Sequence, residues 1–131
     1  MALLSTYLVE DSVVIRDSLI ATLEDLAPVV VLGTAADEET AIKWLGQVNH
    51  KVDLVIVDLF LAGGSGLGVL RRAGRLEIDA KLVVLSNYAT PEIRRTCLEL
   101  GADEVFDKSA DIDALIQYCI DAAEAKPAMA I

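Results

Sequence analysis

Short aliphatic runs alternate with amphipathic stretches along the whole chain, and that alternation leaves few folds open. Strands are expected at about Ser5–Glu10, Val29–Thr34, Asp53–Asp58, Lys81–Ser86 and Glu104–Asp107. Between them, apolar residues return at helical spacing: Ile15, Leu19, Leu23 and Leu26, then Ala41, Trp44 and Leu45, then Ile93, Cys97, Leu98 and Leu100. A last helix begins near Asp111, and its stripe Ile112, Leu115, Ile116, Cys119, Ile120 has the spacing of a face packed on a sheet. Alternation of this kind means right-handed crossovers and a parallel sheet, so five βα units and a doubly wound α/β fold are expected.

Local punctuation supports these boundaries. Asp11 and Ser12 can cap the first helix, Thr90-Pro91 puts proline at a first helical position, and Gly101 suits a left-handed residue ending the fourth helix. With 131 residues the chain reads as a single domain, 1–131, with its core at 5–124 and a frayed tail at 125–131. Hydrophobic residues make up 54% of it, yet there are only two Phe, three Tyr and one Trp, the balance of an aliphatic sheet covered by helices on both faces.

A net charge of −10 argues against nucleic acid and anionic membranes as direct partners, because both need clustered Lys and Arg. No apolar run is long enough to span a bilayer and Met1–Ser5 carries no signal pattern, so the protein reads as cytoplasmic. Cys97 and Cys119 form no CxxC and read as buried reduced thiols. The single histidine, His50, is expected near a helix end, which removes most acid–base and Ser/His hydrolase schemes.

Ligands of an open parallel sheet bind at the carboxyl ends of its strands. There stand Glu10 and Asp11 after the first strand, Asp58 after the third, Ser86 after the fourth and Lys108 after the fifth. Singly, each has an ordinary explanation as cap, strand-end hydroxyl or solvated charge. Together they do not, because three carboxylates crowded at one rim repel unless a hard cation bridges them, and Lys108 cannot balance three. Asp58 is the sharpest case: six of the seven residues from Leu54 to Phe60 are apolar, and an ionised carboxylate among them needs a counter-charge or a metal. An oxygen-only ligand set that leaves positions for water and a phosphate oxygen suits Mg²⁺ better than Zn²⁺ or a Ca²⁺ cage. Beside Mg²⁺, Asp58 could attack phosphorus while Asp11, Lys108 and Ser86 position the groups that meet the developing charge.

The set VED at Val9–Asp11, VDL at Val57–Leu59, LSN at Leu85–Asn87 and DKS at Asp107–Ser109 resembles the receiver domain of two-component response regulators over residues 5–124. That resemblance implies a five-stranded sheet of order 2-1-3-4-5 with five helices, and phosphoryl transfer to Asp58 from a histidine kinase or histidine phosphotransfer protein. It also implies Mg²⁺ bound by Asp11, Asp58, the carbonyl of Phe60 and, through water, Glu10. Ser86, Asn87 and Lys108 would contact the phosphate, and the chain would catalyse its own phosphorylation and slow dephosphorylation. Phe60 and Tyr88 take the positions that flank the path of the hydrolytic water. Output is expected through a changed surface around Val105 and Phe106, read by a separate output protein.

Departures from the family pattern carry expectations of their own. Ser109 follows the lysine where proline is common, so a cis Lys108–Ser109 bond would be costly. Ala62 replaces another common proline, and Gly63, Gly64 and Gly66 are expected to free that loop to adopt positive φ. Val105 stands where an aromatic switch residue is usual, with Phe106 next to it. The alternative from another class is a Mg²⁺-dependent phosphatase of haloacid-dehalogenase type, but those enzymes carry an aspartate two residues after the nucleophile, and here that position is Phe60. A degenerate receiver acting as a scaffold would lack Asp58, Lys108 or the acidic pair, and a flavodoxin-like carrier would need a Ser/Thr-rich loop after the first strand.

Overall fold

Ten elements follow one another in the order that the alternation requires: β1 (Leu4–Val9), α1 (Val13–Leu26), β2 (Val29–Ala35), α2 (Glu38–Leu45), β3 (Leu54–Val57), α3 (Gly66–Arg75), β4 (Lys81–Ser86), α4 (Pro91–Glu99), β5 (Glu104–Asp107) and α5 (Ile112–Ala125). The computed structural model describes residues 2–47 and 49–127; the end of the expected frayed tail, 128–131, lies outside the described residues. The strands form one parallel sheet in the order β2-β1-β3-β4-β5, as the resemblance implies.

Two apolar layers sit on the two faces of the sheet, and each strand feeds both by alternation. Tyr7, Val9, Val55, Val57, Leu82, Val84 and Val105 point to one layer, with Ala41, Leu45, Val69, Leu70 and Cys97 from α2, α3 and α4. Leu4, Leu8, Leu54, Ile56, Val83, Leu85 and Phe106 point to the other, with Leu19, Leu23, Leu115 and Cys119 from α1 and α5. Both cysteines are buried free thiols, as expected. Of the expected helical stripes, Ile15 and Leu26 of α1 and Leu98 of α4 are exposed instead. Leu98 directly follows the buried Cys97 and lies on the solvent side of α4.

Side-chain caps fix the starts of α1 to α4. Ser12 Oγ accepts from the N–H of Ile15, Asp37 from Thr40, Ser65 from Gly68 and Thr90 from Ile93, with Pro91 opening α4. Gly101 takes φ 106° just past α4, which suits only glycine. At the outer margin of β2, the Val31 N–H donates to Glu24 Oε2 at 3.0 Å. The β1–β2 register slips between Thr6/Val31 and Tyr7/Gly33, leaving Leu32 as a bulge. Trp44 of α2 stacks on Tyr7 at 4.1 Å on one side and on His50 at 4.0 Å on the other. His50 therefore lies in the loop to β3 rather than at the end of α2, with its Nδ1 2.8 Å from the Trp44 carbonyl.

Candidate functional site

The parallel ladder continues one residue past three strands, and that residue is polar each time. The Glu10 N–H donates to the Ala35 carbonyl (2.9 Å), the Asp58 N–H to Val9 (2.9 Å) and the Lys108 N–H to Ser86 (3.1 Å). β1 and β3 thus end at Val9 and Val57, one residue sooner than the runs suggest, and their carboxylates stand at the rim. Backbone bonds rather than side-chain contacts place Glu10, Asp58 and Lys108 on the same edge.

There Lys108 Nζ bridges two carboxylates, at 2.6 Å from Glu10 Oε1 and 2.9 Å from Asp58 Oδ2. The Ser12 N–H donates to Glu10 Oε2 at 3.1 Å. Glu10 and Asp58 are only 3% and 8% exposed. Burial opposes the lysine's charge, but the hydrogen bonds to Glu10 and Asp58 outweigh it and hold its pKa above the ordinary lysine value. Asp11 is exposed beside this pair, and single oxygens of Glu10, Asp11 and Asp58 lie within 4.8 Å of one another. Three hard oxygen donors on an open cleft, with one ammonium among them, leave a negative excess that fits a small divalent cation.

Ser86 ends β4 fully buried, and its Oγ accepts from the Tyr88 N–H at 3.1 Å. The Tyr88 ring projects over the cleft and meets Phe60 edge to face, with centroids 5.2 Å apart. Asn87 and Lys108 line the same cleft. Val105 and Phe106 face opposite layers: Val105 lies under α4, and Phe106 meets Tyr118 of α5 at 5.8 Å.

The sequence pattern of the response regulator receiver domain matches residues 6–120. The chain belongs to this family. As a receiver it is a phosphorylation-dependent signalling switch. It is 28% identical over 108 residues to the response regulator UvrY of Escherichia coli, covering 82% of this chain and 49% of that protein. It is 32% identical over 118 residues to the alkaline phosphatase synthesis transcriptional regulatory protein SphR of Synechococcus elongatus, covering 85% and 45%. The receiver thus spans about half the length of these curated relatives. Among solved structures it superposes on the signal receiver domain of NarL from Mycobacterium tuberculosis with a TM-score of 0.83 at 20% identity, covering 96% of this chain and 100% of that one. A response regulator from Burkholderia pseudomallei, solved with a phosphorylated aspartic acid, a calcium ion and citrate, matches with a TM-score of 0.75 at 26% identity, covering 92% and 69%.

Several features of this receiver modify the sequence reading. The Lys108–Ser109 bond is trans, no cis bond occurring among the described residues, and the loop is instead tied by Asp107, whose Oδ1 accepts from the Ser109 N–H (2.8 Å), the Ser109 hydroxyl and the Ala110 N–H (3.2 Å). Those bonds hold the Asp107 carboxyl below the usual carboxylate range, the Ser109 hydroxyl contributing most. The glycine loop after Asp58 is not generally free: of its glycines only Gly64 takes positive φ, at 71°. Gly66 is required by close approach instead, since a Cβ there would lie 2.2 Å from the Asp58 carbonyl oxygen. Two residues that carry contacts near the site are silent in the sequence pattern. Arg94 of α4 donates to the carbonyls of Ala89 (3.0 Å) and Val105 (2.7 Å) and to Asp111 (3.3 Å), while Glu38 of α2 reaches across to α3. The partners of Glu38 lie far along the chain, and those of Arg94 are mostly backbone carbonyls, so no local spacing announces them.

Proposed function

We propose that Asp58 is the phosphoacceptor, taking a phosphoryl group from a phosphohistidine on a histidine kinase or histidine phosphotransfer protein. An Asp58 carboxylate oxygen forms the new O–P bond as the N–P bond of the donor breaks, and the imidazole leaves with the electron pair. The observation that carries this reading is the placement of Asp58 at a strand end, facing an open cleft, in contact with Lys108 and beside Glu10 and Asp11.

Asp11, Asp58 and the Phe60 carbonyl would hold Mg²⁺, with Glu10 acting through water. The metal would supply positive charge to the phosphoryl oxygens. Lys108 and the Ser86 hydroxyl supply the protein's own share, and Asn87 packs beside the incoming group. The phosphorylated aspartate and calcium of the Burkholderia pseudomallei relative support an acceptor next to a divalent cation in this fold.

Output follows from movement of Ser86 toward the phosphate, which frees the Tyr88 N–H that its hydroxyl now accepts. Val105 and Phe106 are buried rather than on the surface, so they pass the change outward to α4 and α5, whose exposed faces a separate output protein reads in the cytoplasm. Among the described residues no helix is long and apolar enough to cross a membrane. The deciding experiment is incubation with Mg²⁺ and acetyl phosphate, phosphoramidate or a cognate kinase, followed by intact mass and site mapping. A mass gain that Asp58→Ala abolishes is expected, and its absence with every donor would overturn the reading.

A further inference from the structure

Glu38 opens α2 on the far side of the acceptor loop, 20 residues before Asp58 in the numbering, yet its carboxylate ties that loop to α3. Its Oε1 accepts from the Ser65 N–H at 3.1 Å, its Oε2 from Arg72 Nη1 at 3.0 Å, and its own N–H donates to the Gly63 carbonyl at 3.0 Å. The carboxylate lies in space left free by two glycines. A Cβ on Gly68 would lie 2.1 Å from Glu38 Oε1, and a Cβ on Gly64 would lie 2.5 Å from Glu38 Cβ. Ser65, so held, pairs with Phe60 in an isolated antiparallel bridge, and the Gly66 N–H beside it donates to the Leu59 carbonyl at 2.9 Å. Two steps therefore connect the Glu38 carboxylate to Phe60, whose ring leans on Tyr88 over the cleft.

Accepting Asp58 as the phosphoacceptor, we propose that Glu38 is a positioning residue for it: seated in the space left by Gly64 and Gly68, it clamps Ser65, fixes Phe60 against Tyr88 and so lengthens the life of the aspartyl phosphate. A glycine-rich loop has no stiffness of its own. The half-buried carboxylate supplies it, because a charge-assisted bond to a backbone N–H and a second to Arg72 restrain the loop from outside. Arg72 also pairs with the exposed Glu39, so its guanidinium is itself oriented from α2.

The test uses the intact protein. Phosphate release is followed for the parent, Glu38→Ala, Glu38→Gln and Gly68→Ala, with thermal midpoints recorded to show that each is folded. Glu38→Ala and Gly68→Ala, the latter by evicting the carboxylate, should release phosphate about five-fold faster, the low end of coupling between distinct sites. Glu38→Gln keeps an acceptor for Ser65 and should stay near the parent. In a Phe60→Ala background, Glu38→Ala should have no further effect, a non-additivity that a merely structural residue would not produce. Additive effects, or Glu38→Ala at the parental rate, overturn the proposal while leaving Asp58 as acceptor. In the unphosphorylated protein, amide exchange of Gly66 should speed up in Glu38→Ala, and unchanged exchange there would sink the clamp independently of any phosphoryl chemistry.

Discussion

Lys108 and Asp58 are joined by a 2.9 Å ion pair across 50 residues of chain, and the same ammonium is shared with Glu10. Two nearly buried carboxylates thus depend on one cation. Replacing Lys108 by Met keeps the bulk of the stem but leaves both carboxylates unpaired, which should destabilise the fold by about 3–5 kcal/mol. Asp58→Asn removes one of the two competing charges and keeps an oxygen for Lys108, so its stability should equal or exceed the parent's. Urea unfolding of the two variants at neutral pH checks this asymmetry, and equal losses would contradict it.

The carboxylates should also differ toward metal. Glu10 has both oxygens engaged, by Lys108 and by the Ser12 N–H, whereas Asp11 is exposed beside the cleft. Asp11→Ala should abolish Mg²⁺ binding and phosphorylation together, and Glu10→Gln should weaken them less, as expected of a residue acting through water. Isothermal titration of both variants measures it.

Ser86→Ala should accept phosphate yet transmit little of it. The hydroxyl is the group that moves, and it also anchors Tyr88. Amide shifts over α4, β5 and α5 on adding a phosphate analogue should shrink strongly relative to the parent. Arg94→Ala, which unties Ala89, Val105 and Asp111 from one another, should alter the same shifts before any phosphate is added. Indistinguishable spectra for parent and Ser86→Ala would end the switch model.

Phe60 and Tyr88 stand over the acceptor as two rings, 59% and 61% exposed, with no group that could serve as a base for water. A slowly decaying phosphoprotein is expected. Phe60→Asn and Tyr88→Ala should both release phosphate faster, Tyr88→Ala more so. Rates at or below the parent's in both would refute the brake.

An alkaline limit on stability follows from two buried groups and the partly buried Lys108. Burial, with Asp37 adding to it, pushes the Tyr7 hydroxyl up to about 12 from 10.0, and burial pushes the Cys119 thiol up to about 11 from 9.0. Burial opposes the Lys108 charge, yet its carboxylate partners still raise it above 10.5. Each binds its proton more tightly when folded, so the unfolded chain releases protons first as pH rises. Stability should be full below pH 9.0 and fall progressively above it, through the folded values. Tyr7→Phe should flatten part of that fall. It should also stabilise the protein at neutral pH by about 1–3 kcal/mol, because the Tyr7 hydroxyl is buried with no partner among the described residues. Urea midpoints across pH 7 to 11 test both.

Much of this was legible from residue order. The runs ending at Val57 and Ser86 are aliphatic because both faces of the sheet are covered, and the polar residue ending or following each is conspicuous against that background. α3 was not legible by periodicity. It opens Gly66-Leu67-Gly68, against helical propensity, because α3 must approach the Asp58 backbone at Gly66 and leave room for Glu38 at Gly68. Glu38 and Arg94 escaped for another reason. A charged residue on an exposed helix turn reads as solvated, and the partners that make these two structural, Ser65 and Val105, come near only when the sheet has wound.

The closed margin of β2 bears on how this protein lives among copies of itself. With the Val31 N–H occupied by Glu24 and the regular spacing broken at Leu32, the strand presents no unbroken row of free donors to a neighbour. Molecules that collide edge to edge there have no template for a shared cross-molecular ladder, so crowding finds no route to fibrils along this margin.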